Sequence, residues 1–351
     1  MTELELVGPR AWGSPCGTAF LKASASDFQV NELLDIELSG QGEHLWVHVE
    51  KSHLNTEEAA RRLAKAAKIP LKHVGYAGLK DRLAITRQWF SLYVPGREVD
   101  ITSAASEQLV ILSSQRHTRK LQRGAHRANQ FKIRLTQLKA DRSLLEVRLQ
   151  CIQAQGVPNY FGLQRFGIEG TNVLQAQHYA DMQELPQRRN LRSRLLSTAR
   201  SLIFNQILAA RVADKSWNQA QKGDVLIFTG SRSHFLAEEQ DLCDPRLAAM
   251  DLHPSGALVG AGELAGAGSV RELEEQVCLE HQTLCNWIVQ ADLRQERRML
   301  RLPVTDLQWC YPDDDTLELQ FALPVGCYAT SVVRELVELL VVDEVDVACE
   351  F

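Results

Sequence analysis

An aspartate set between a lysine and an arginine, in a loop that carries two glycines, is the group in this sequence best placed to do chemistry. The segment reads Gly75-Tyr76-Ala77-Gly78-Leu79-Lys80-Asp81-Arg82. Its glycines let the backbone turn and let a ligand approach closely. Positive charge beside a carboxyl favours the ionised form, and an ionised carboxylate serves as a nucleophile or a general base. The spacing excludes two common nucleotide-binding loops. A Walker loop needs GxxxxGK[ST], and Asp81 stands where its hydroxyl residue belongs; a dinucleotide loop needs GxGxxG, which does not occur. On local physics an ordinary charged turn remains the alternative, since Lys-Asp-Arg is common in turns.

A metal centre is not expected. The eight cysteines stand at 16, 151, 243, 278, 285, 310, 327 and 349, and none forms a Cys-x-x-Cys pair. A zinc site wants tighter pairs, usually with histidine at fixed offsets. The cysteines read as reduced packing residues. No window approaches the roughly 18 uninterrupted apolar residues of a membrane span. The start, MTELELVGPR, lacks the basic segment and apolar core of a secretory leader. The expectation is a soluble, cytoplasmic chain.

The elements that must position the loop follow from period and punctuation. With 351 residues, two domains are expected. Residues 27–33 and 45–50 alternate as half-buried strands do. Asn55 or Thr56 caps a helix with Glu57 and Glu58 in its first turn, ending before Pro70. After the glycine-bearing loop, 86–94 reads as a strand stopped by Pro95-Gly96. Further strands are expected at 108–112, 131–136 and 316–324, and helices at 144–155 (closed by Gly156), 191–213, 287–302 and 329–340. The stretch 256–268, GALVGAGELAGAG, reads as a packed loop because of its apolar residues. Strands and helices interleave irregularly and no repeat is visible, which favours α+β with a mixed or antiparallel sheet over a doubly wound parallel fold.

Charge is unevenly spread. The net charge is −5, yet residues 51–200 hold 26 basic against 11 acidic residues. Residues 111–140 carry Arg116, Arg119, Lys120, Arg123, Arg127, Lys132, Arg134 and Lys139 with no acid. Residues 185–211 carry Arg188, Arg189, Arg192, Arg194, Arg200 and Arg211, again with none. Solvated helix and strand faces normally intersperse counter-charges, so the pattern points to a polyanion held through phosphate contacts, with the two runs flanking one groove.

Four segments, in order, resemble the TruD family of tRNA pseudouridine synthases. They are Lys22 with Asp27-Phe28-x-Val30-x-Glu32; His73 to Gln88 (HVGYAGLKDRxAxTxQ); Gly156 to Gly167 (GVPNYFGxQRFG); and Leu323 to Leu336 (LPxGxxATSVVREL). The likeness covers essentially the whole chain and is weakest over about 215–300. It implies an α+β pseudouridine-synthase catalytic domain, with a mixed or antiparallel sheet flanked by helices, built from 1–155 and 303–351. A family-specific α/β domain, 156–302, would be inserted in it. The implied reaction isomerises uridine to pseudouridine, at position 13 in the D-arm of tRNA. Nothing is oxidised and no phosphate is transferred, so neither cofactor nor metal is required.

The resemblance puts the catalytic aspartate on Asp81, which would either attack C1′ or help remove a sugar proton to give a glycal. Lys22 would hold it ionised and oriented. Phe28 would line the nucleotide pocket; an aromatic in a strand is otherwise core. Asn129 would meet a uracil edge or backbone, or be a turn residue. Tyr328, where the family typically carries phenylalanine, would stack on the target base, or merely pack where the last helix begins. His73 and Tyr76 would shape the loop, and Arg334 would anchor the last helix by a salt bridge. The expected partner is tRNA, with no membrane, and the chain would act as a monomer. The rival from another class, an RNA-binding protein without activity, is disfavoured by the intact loop.

Overall fold

The computed structural model describes residues 1–340; the acidic stretch beyond, with Cys349, lies outside the described residues. The chain divides into two compact units. One comprises 16–142, 305–325 and 337–340; the other comprises 1–15, 143–304 and 326–336.

The first unit is built on a ten-stranded sheet. Its main path runs Thr305–Cys310, Leu317–Pro324, Ala128–Ala140, Phe28–Leu33, Ile85–Tyr93, His44–Lys51, Leu109–His117. Phe28–Leu33 pairs parallel with Ile85–Tyr93, and Gly17–Leu21 parallel with Glu338–Leu340, while the other pairs are antiparallel. The sheet is therefore mixed, as expected for the α+β class. The helix Thr56–Ala66 buries Ala59, Ala60, Leu63 and Ala64, the i, i+3, i+4 stripe of an amphipathic helix. That stripe packs on Val47, Val49, Phe90, Leu92 and Leu109 of three neighbouring strands.

The second unit combines helices with a four-stranded antiparallel sheet, ordered His234–Leu236, Val225–Phe228, Leu252–Leu258, Glu296–Met299. Its core gathers around the long helix Arg189–Ala213, whose Leu202, Ile203, Phe204, Ile207 and Leu208 are buried with Tyr160, Phe166 and Trp287. Gly156 follows the helix Arg142–Gln155 at φ 74°, the left-handed turn expected of a closing glycine, and a Cβ there would collide with the Leu302 carbonyl.

Several boundaries differ from the sequence reading. The expected helix 287–302 is three elements: a helix Gln282–Gln290, then strands Glu296–Met299 and Arg301–Leu302. Pairing of 296–299 with 255–258, together with Arg297 bonded to Ser255 and Glu274, overrides the local helical pattern. The last helix stops at Leu336, and Glu338–Leu340 pairs with Gly17–Leu21 instead. Of the stretch 256–268, residues 256–260 are packed, largely within the strand Leu252–Leu258, whereas Gly262, Glu263, Ala265 and Gly268 are exposed, and Gly268 opens a helix, Gly268–Glu280. Residues 1–15 and 326–336 cluster with 143–304, where Asn205 donates to the Leu6 carbonyl and Arg165 to the Tyr328 hydroxyl, each at 2.9 Å. Arg334 donates to the Gly8 carbonyl at 2.9 Å and pairs with Glu3 at 3.0 Å. Buried Glu335 accepts the N–H groups of Ala11 and Trp12.

Candidate active site

Three adjacent strands carry polar residues into an otherwise apolar layer. The buried phase of Phe28–Leu33 runs Phe28, Val30, Glu32. That of Ile85–Tyr93 includes Thr86, Gln88, Phe90 and Leu92, and that of His44–Lys51 includes Val47, Val49 and Lys51. Polar groups buried in this way need partners, and most find them in the glycine-bearing loop. Gln88 Nε2 donates to the Gly78 carbonyl at 3.3 Å. Lys80 reaches Glu32 at 2.9 Å, and the other Glu32 oxygen accepts the Trp89 N–H at 3.0 Å. Lys51 Nζ donates to the carbonyls of Leu54, Asp81 and Lys80 at 2.7, 3.0 and 3.4 Å. Burial pushes the Lys51 ammonium down to about 8, with the Asp81 charge opposing the shift and Lys80 adding to it.

The helix contributes too. The Thr56 hydroxyl accepts the Lys80 N–H at 2.9 Å and donates to Gln88 at 3.1 Å. Asn55 occupies the cap position, but its side chain makes no capping bond. Gly75 is required by close approach, because a Cβ there would collide with the Leu121 carbonyl.

Asp81 thus projects from a loop whose backbone is gripped from helix and sheet, and its own side chain is 44% exposed. Lys22 Nζ meets Asp81 Oδ2 at 2.7 Å. Lys22 follows the strand Gly17–Leu21 with φ 62°, a left-handed backbone that is uncommon for lysine and clusters at functional sites. The same ammonium lies 4.1 Å from the centre of the Phe28 ring, a cation–π distance. Phe28 is buried edge-on to Phe131. Lysine, aspartate and phenylalanine are therefore brought together from two parts of the sequence.

Asn129 lies at the start of the strand Ala128–Ala140, in register with Glu32, and not in a turn. Its Oδ1 and both ring nitrogens of buried His126 make no hydrogen bond of ordinary geometry. Burial lowers the His126 pKa, with Glu32 opposing and Lys80 adding to the shift. Tyr328 sits in the other compact unit. Its hydroxyl accepts from Arg165 at 2.9 Å, and its ring stands edge-on to Phe161 at 6.4 Å. The two motif segments there are tied together by Arg298, which donates to Asn159 Oδ1 at 2.7 Å and reaches the Gly326 carbonyl. Tyr76 packs under Arg123 and His73 edge-on to Tyr93, as loop-shaping residues do.

The sequence reading of the residues misses Lys51, Arg165 and Arg298 as participants. Arg165 lies inside a quoted motif. Lys51 lies outside every one, and its only signal is a charged residue in the buried phase of an alternating strand. Among the described residues, no group of three or more His, Cys, Asp or Glu could hold a metal ion, and no helix is long and apolar enough to cross a membrane. Among the described residues, Cys151, Cys243, Cys278, Cys285, Cys310 and Cys327 are free thiols.

An α+β fold with an exposed, lysine-paired aspartate on a rigid loop defines the class. A crystal structure described as a TruD protein, from Methanosarcina mazei, shares the fold with a TM-score of 0.74 over 95% of this chain and 96% of that one, at 21% identity. The model of the family "tRNA pseudouridine synthase D (TruD)" matches residues 11–176 and 175–336. Proteins named tRNA pseudouridine synthase D from Ectopseudomonas mendocina (strain ymp) and Azotobacter vinelandii are 62% and 57% identical, each over 100% of both chains. The chain belongs to the TruD family of tRNA pseudouridine synthases, which makes it an isomerase.

Proposed function

We propose that this chain converts uridine 13, in the D-arm of tRNA, to pseudouridine, with Asp81 as the acting carboxylate and without a cofactor. The observation that carries this reading is the Lys22–Asp81 pair at 2.7 Å on a loop fixed by Thr56, Gln88 and Lys51. The isomerisation breaks C1′–N1, turns the base and forms C1′–C5. It needs one positioned carboxylate near the sugar and a nucleotide taken out of its stack. Asp81 acts on C1′ as a nucleophile or on a sugar proton as a base, and its partial exposure leaves room for the ribose. Lys22 supplies the counter-charge and sets the carboxylate's direction. Phe28 lines the pocket beneath that ammonium, and Asn129 offers its amide to a uracil edge. Tyr328 has its hydroxyl taken by Arg165 and so offers its ring face to a base. The chemistry is assigned to 1–155 with 303–351, and tRNA-specific contacts to 156–302. The chain acts as a monomer in the cytoplasm.

The test is direct. Purified protein is mixed with unmodified tRNA transcript, with no nucleotide, NAD or flavin added, and pseudouridine is mapped by carbodiimide-blocked primer extension. Product is expected at position 13. Asp81→Asn, nearly isosteric, should make none while binding tRNA as the parent does. Substantial turnover by that variant would remove Asp81 from the mechanism.

A further inference from the structure

We propose that Lys51 is a positioning residue for Asp81: its buried ammonium, bonded to the main-chain oxygens of Leu54, Lys80 and Asp81, fixes the peptide from which the acting carboxylate projects. The inference rests on the reading of Asp81 given above.

Lys51 is 1% exposed and follows Val47 and Val49 in the inward phase of its strand. Burying an ammonium is unfavourable unless its hydrogens are satisfied. Here three N–H donors face three carbonyl oxygens, at 2.7, 3.0 and 3.4 Å. Methionine would fill similar space without a charge to desolvate, so core stability alone does not call for lysine at this position. The three acceptors explain it, since two of them bracket the catalytic position. Only the protonated amine carries three hydrogens. The neutral amine would turn a lone pair towards a carbonyl oxygen and release part of the clamp.

The charged groups facing the ammonium are the Asp81 carboxylate and the Lys80 ammonium. Lys80 is itself turned to Glu32 at 2.9 Å. From the packed helix comes the neutral Thr56, whose hydroxyl bonds Lys80 N–H; the adjacent strand presents the neutral Thr86 and the other flanking strand Leu109. Glu50, the preceding residue, pairs with Arg87 at 2.7 Å on the opposite phase. Burial lowers Lys51 to about 8, so the clamp loses its proton on the alkaline side of neutrality. Stability moves the other way. The folded pKa lies below the unfolded one, so between the two the unfolded chain binds more protons. Over that window this group's contribution to stability rises with pH. Alkaline loss of rate without loss of fold is therefore the signature of the clamp.

The experiment measures single-turnover rates on unmodified tRNA transcript from about pH 6.5 to about pH 9.5, with thermal midpoints at each pH. It compares the parent, Lys51→Arg, Lys51→Met and Asp81→Asn. The parent should show an alkaline limb near pH 8 with no parallel fall in midpoint. Lys51→Arg, which keeps its charge, should move that limb upward. Lys51→Met should lose at least about tenfold in rate, with the half-saturating enzyme concentration unchanged within about twofold. A parent without the limb, a limb unmoved in Lys51→Arg, or a Lys51→Met variant with parental rate would each overturn the inference. If the arginine does not fold, the parent profile and Lys51→Met still decide. Inactive Asp81→Asn beside normal Lys51 variants removes this inference alone, whereas active Asp81→Asn removes the reading of Asp81 as well.

Discussion

Tyr328 keeps its polar tip engaged: the hydroxyl accepts from Arg165, which also bonds Ser197. A phenol fixed in this way is poorly placed to shuttle a proton, whereas its ring face stays useful for stacking. Base–aromatic stacking is worth about 1–3 kcal/mol, so Tyr328→Ala should lose on the order of 10- to 100-fold in kcat/KM. Tyr328→Phe should keep near-parental turnover in single-turnover assays. It should also cost about 0.5–1.5 kcal/mol of stability by urea unfolding, because Arg165 loses an acceptor. A severe rate defect in the phenylalanine variant would instead favour the phenol as a general acid or base. Asp81 and Lys22 are readable because an unusual loop and a family motif name them. Their meeting at 2.7 Å is a consequence of a left-handed backbone at Lys22, which no periodicity announces. Lys51 is legible only to a reading that asks which face each strand residue takes, since a lysine ending a strand otherwise looks like its solvated edge.

At the scale of elements, strong periods survive and weak ones yield to pairing. The helices Thr56–Ala66, Arg142–Gln155 and Arg189–Ala213 match their apolar stripes, and Phe28–Leu33 and Leu317–Pro324 match their alternation. The segment 287–302 does not, because the strand Leu252–Leu258 needs a partner and local sequence cannot reveal one 40 residues away in the chain. That strand also holds a buried histidine with a fixed tautomer. Arg301 Nε donates to His253 Nδ1 at 3.1 Å, so Nε2 carries the hydrogen and donates to the Thr229 hydroxyl at 2.7 Å. Burial, reinforced by Arg301, pushes His253 down to about 3. The folded value lies below the unfolded one, so its contribution to stability is complete above about pH 6.5. It is lost at about 1.4 kcal/mol per unit as pH falls towards the folded value. Denaturant unfolding at pH values between about 7 and 4.5 should show this slope. His253→Gln, whose amide can accept from Arg301 and donate to Thr229, should unfold with a shallower acid dependence. An unchanged slope would show that His253 does not titrate in folding.

For the whole molecule, the charge pattern read along the chain overstates the charge available in space. Of the run 111–140, Arg116 meets Glu98, Arg127 meets Asp35, and Lys132 and Arg134 meet Glu318. These acids come from elsewhere in the sequence, which is why counting within the run misses them. In the run 185–211, Arg200 pairs with Glu296, and Arg211 is buried in a bidentate bond with Asp224 at 2.7 and 3.0 Å. Arg211 therefore holds the fold and not a ligand. Arg188, Arg189, Arg192 and Arg194 remain, at and before the start of the helix Arg189–Ala213, with no acid in its first turn. Positive side chains at the positive end of a helix dipole are mutually unfavourable, and a phosphate backbone arriving there relieves both terms. Affinity for tRNA should accordingly fall steeply with salt although the net charge is −5. The slope of log affinity against log salt should shrink by about 0.7–0.9 for each of the four arginines that contacts phosphate. Replacing all four with glutamine should flatten the slope while leaving Asp81 and Lys22 untouched, so bound tRNA should still be converted. Replacing Lys132 and Arg134, already paired with Glu318 and Asp313, should change the slope far less. Filter binding across a salt series measures both. A slope that stays put without the four arginines, or a flat dependence in the parent, would mean that tRNA is held elsewhere.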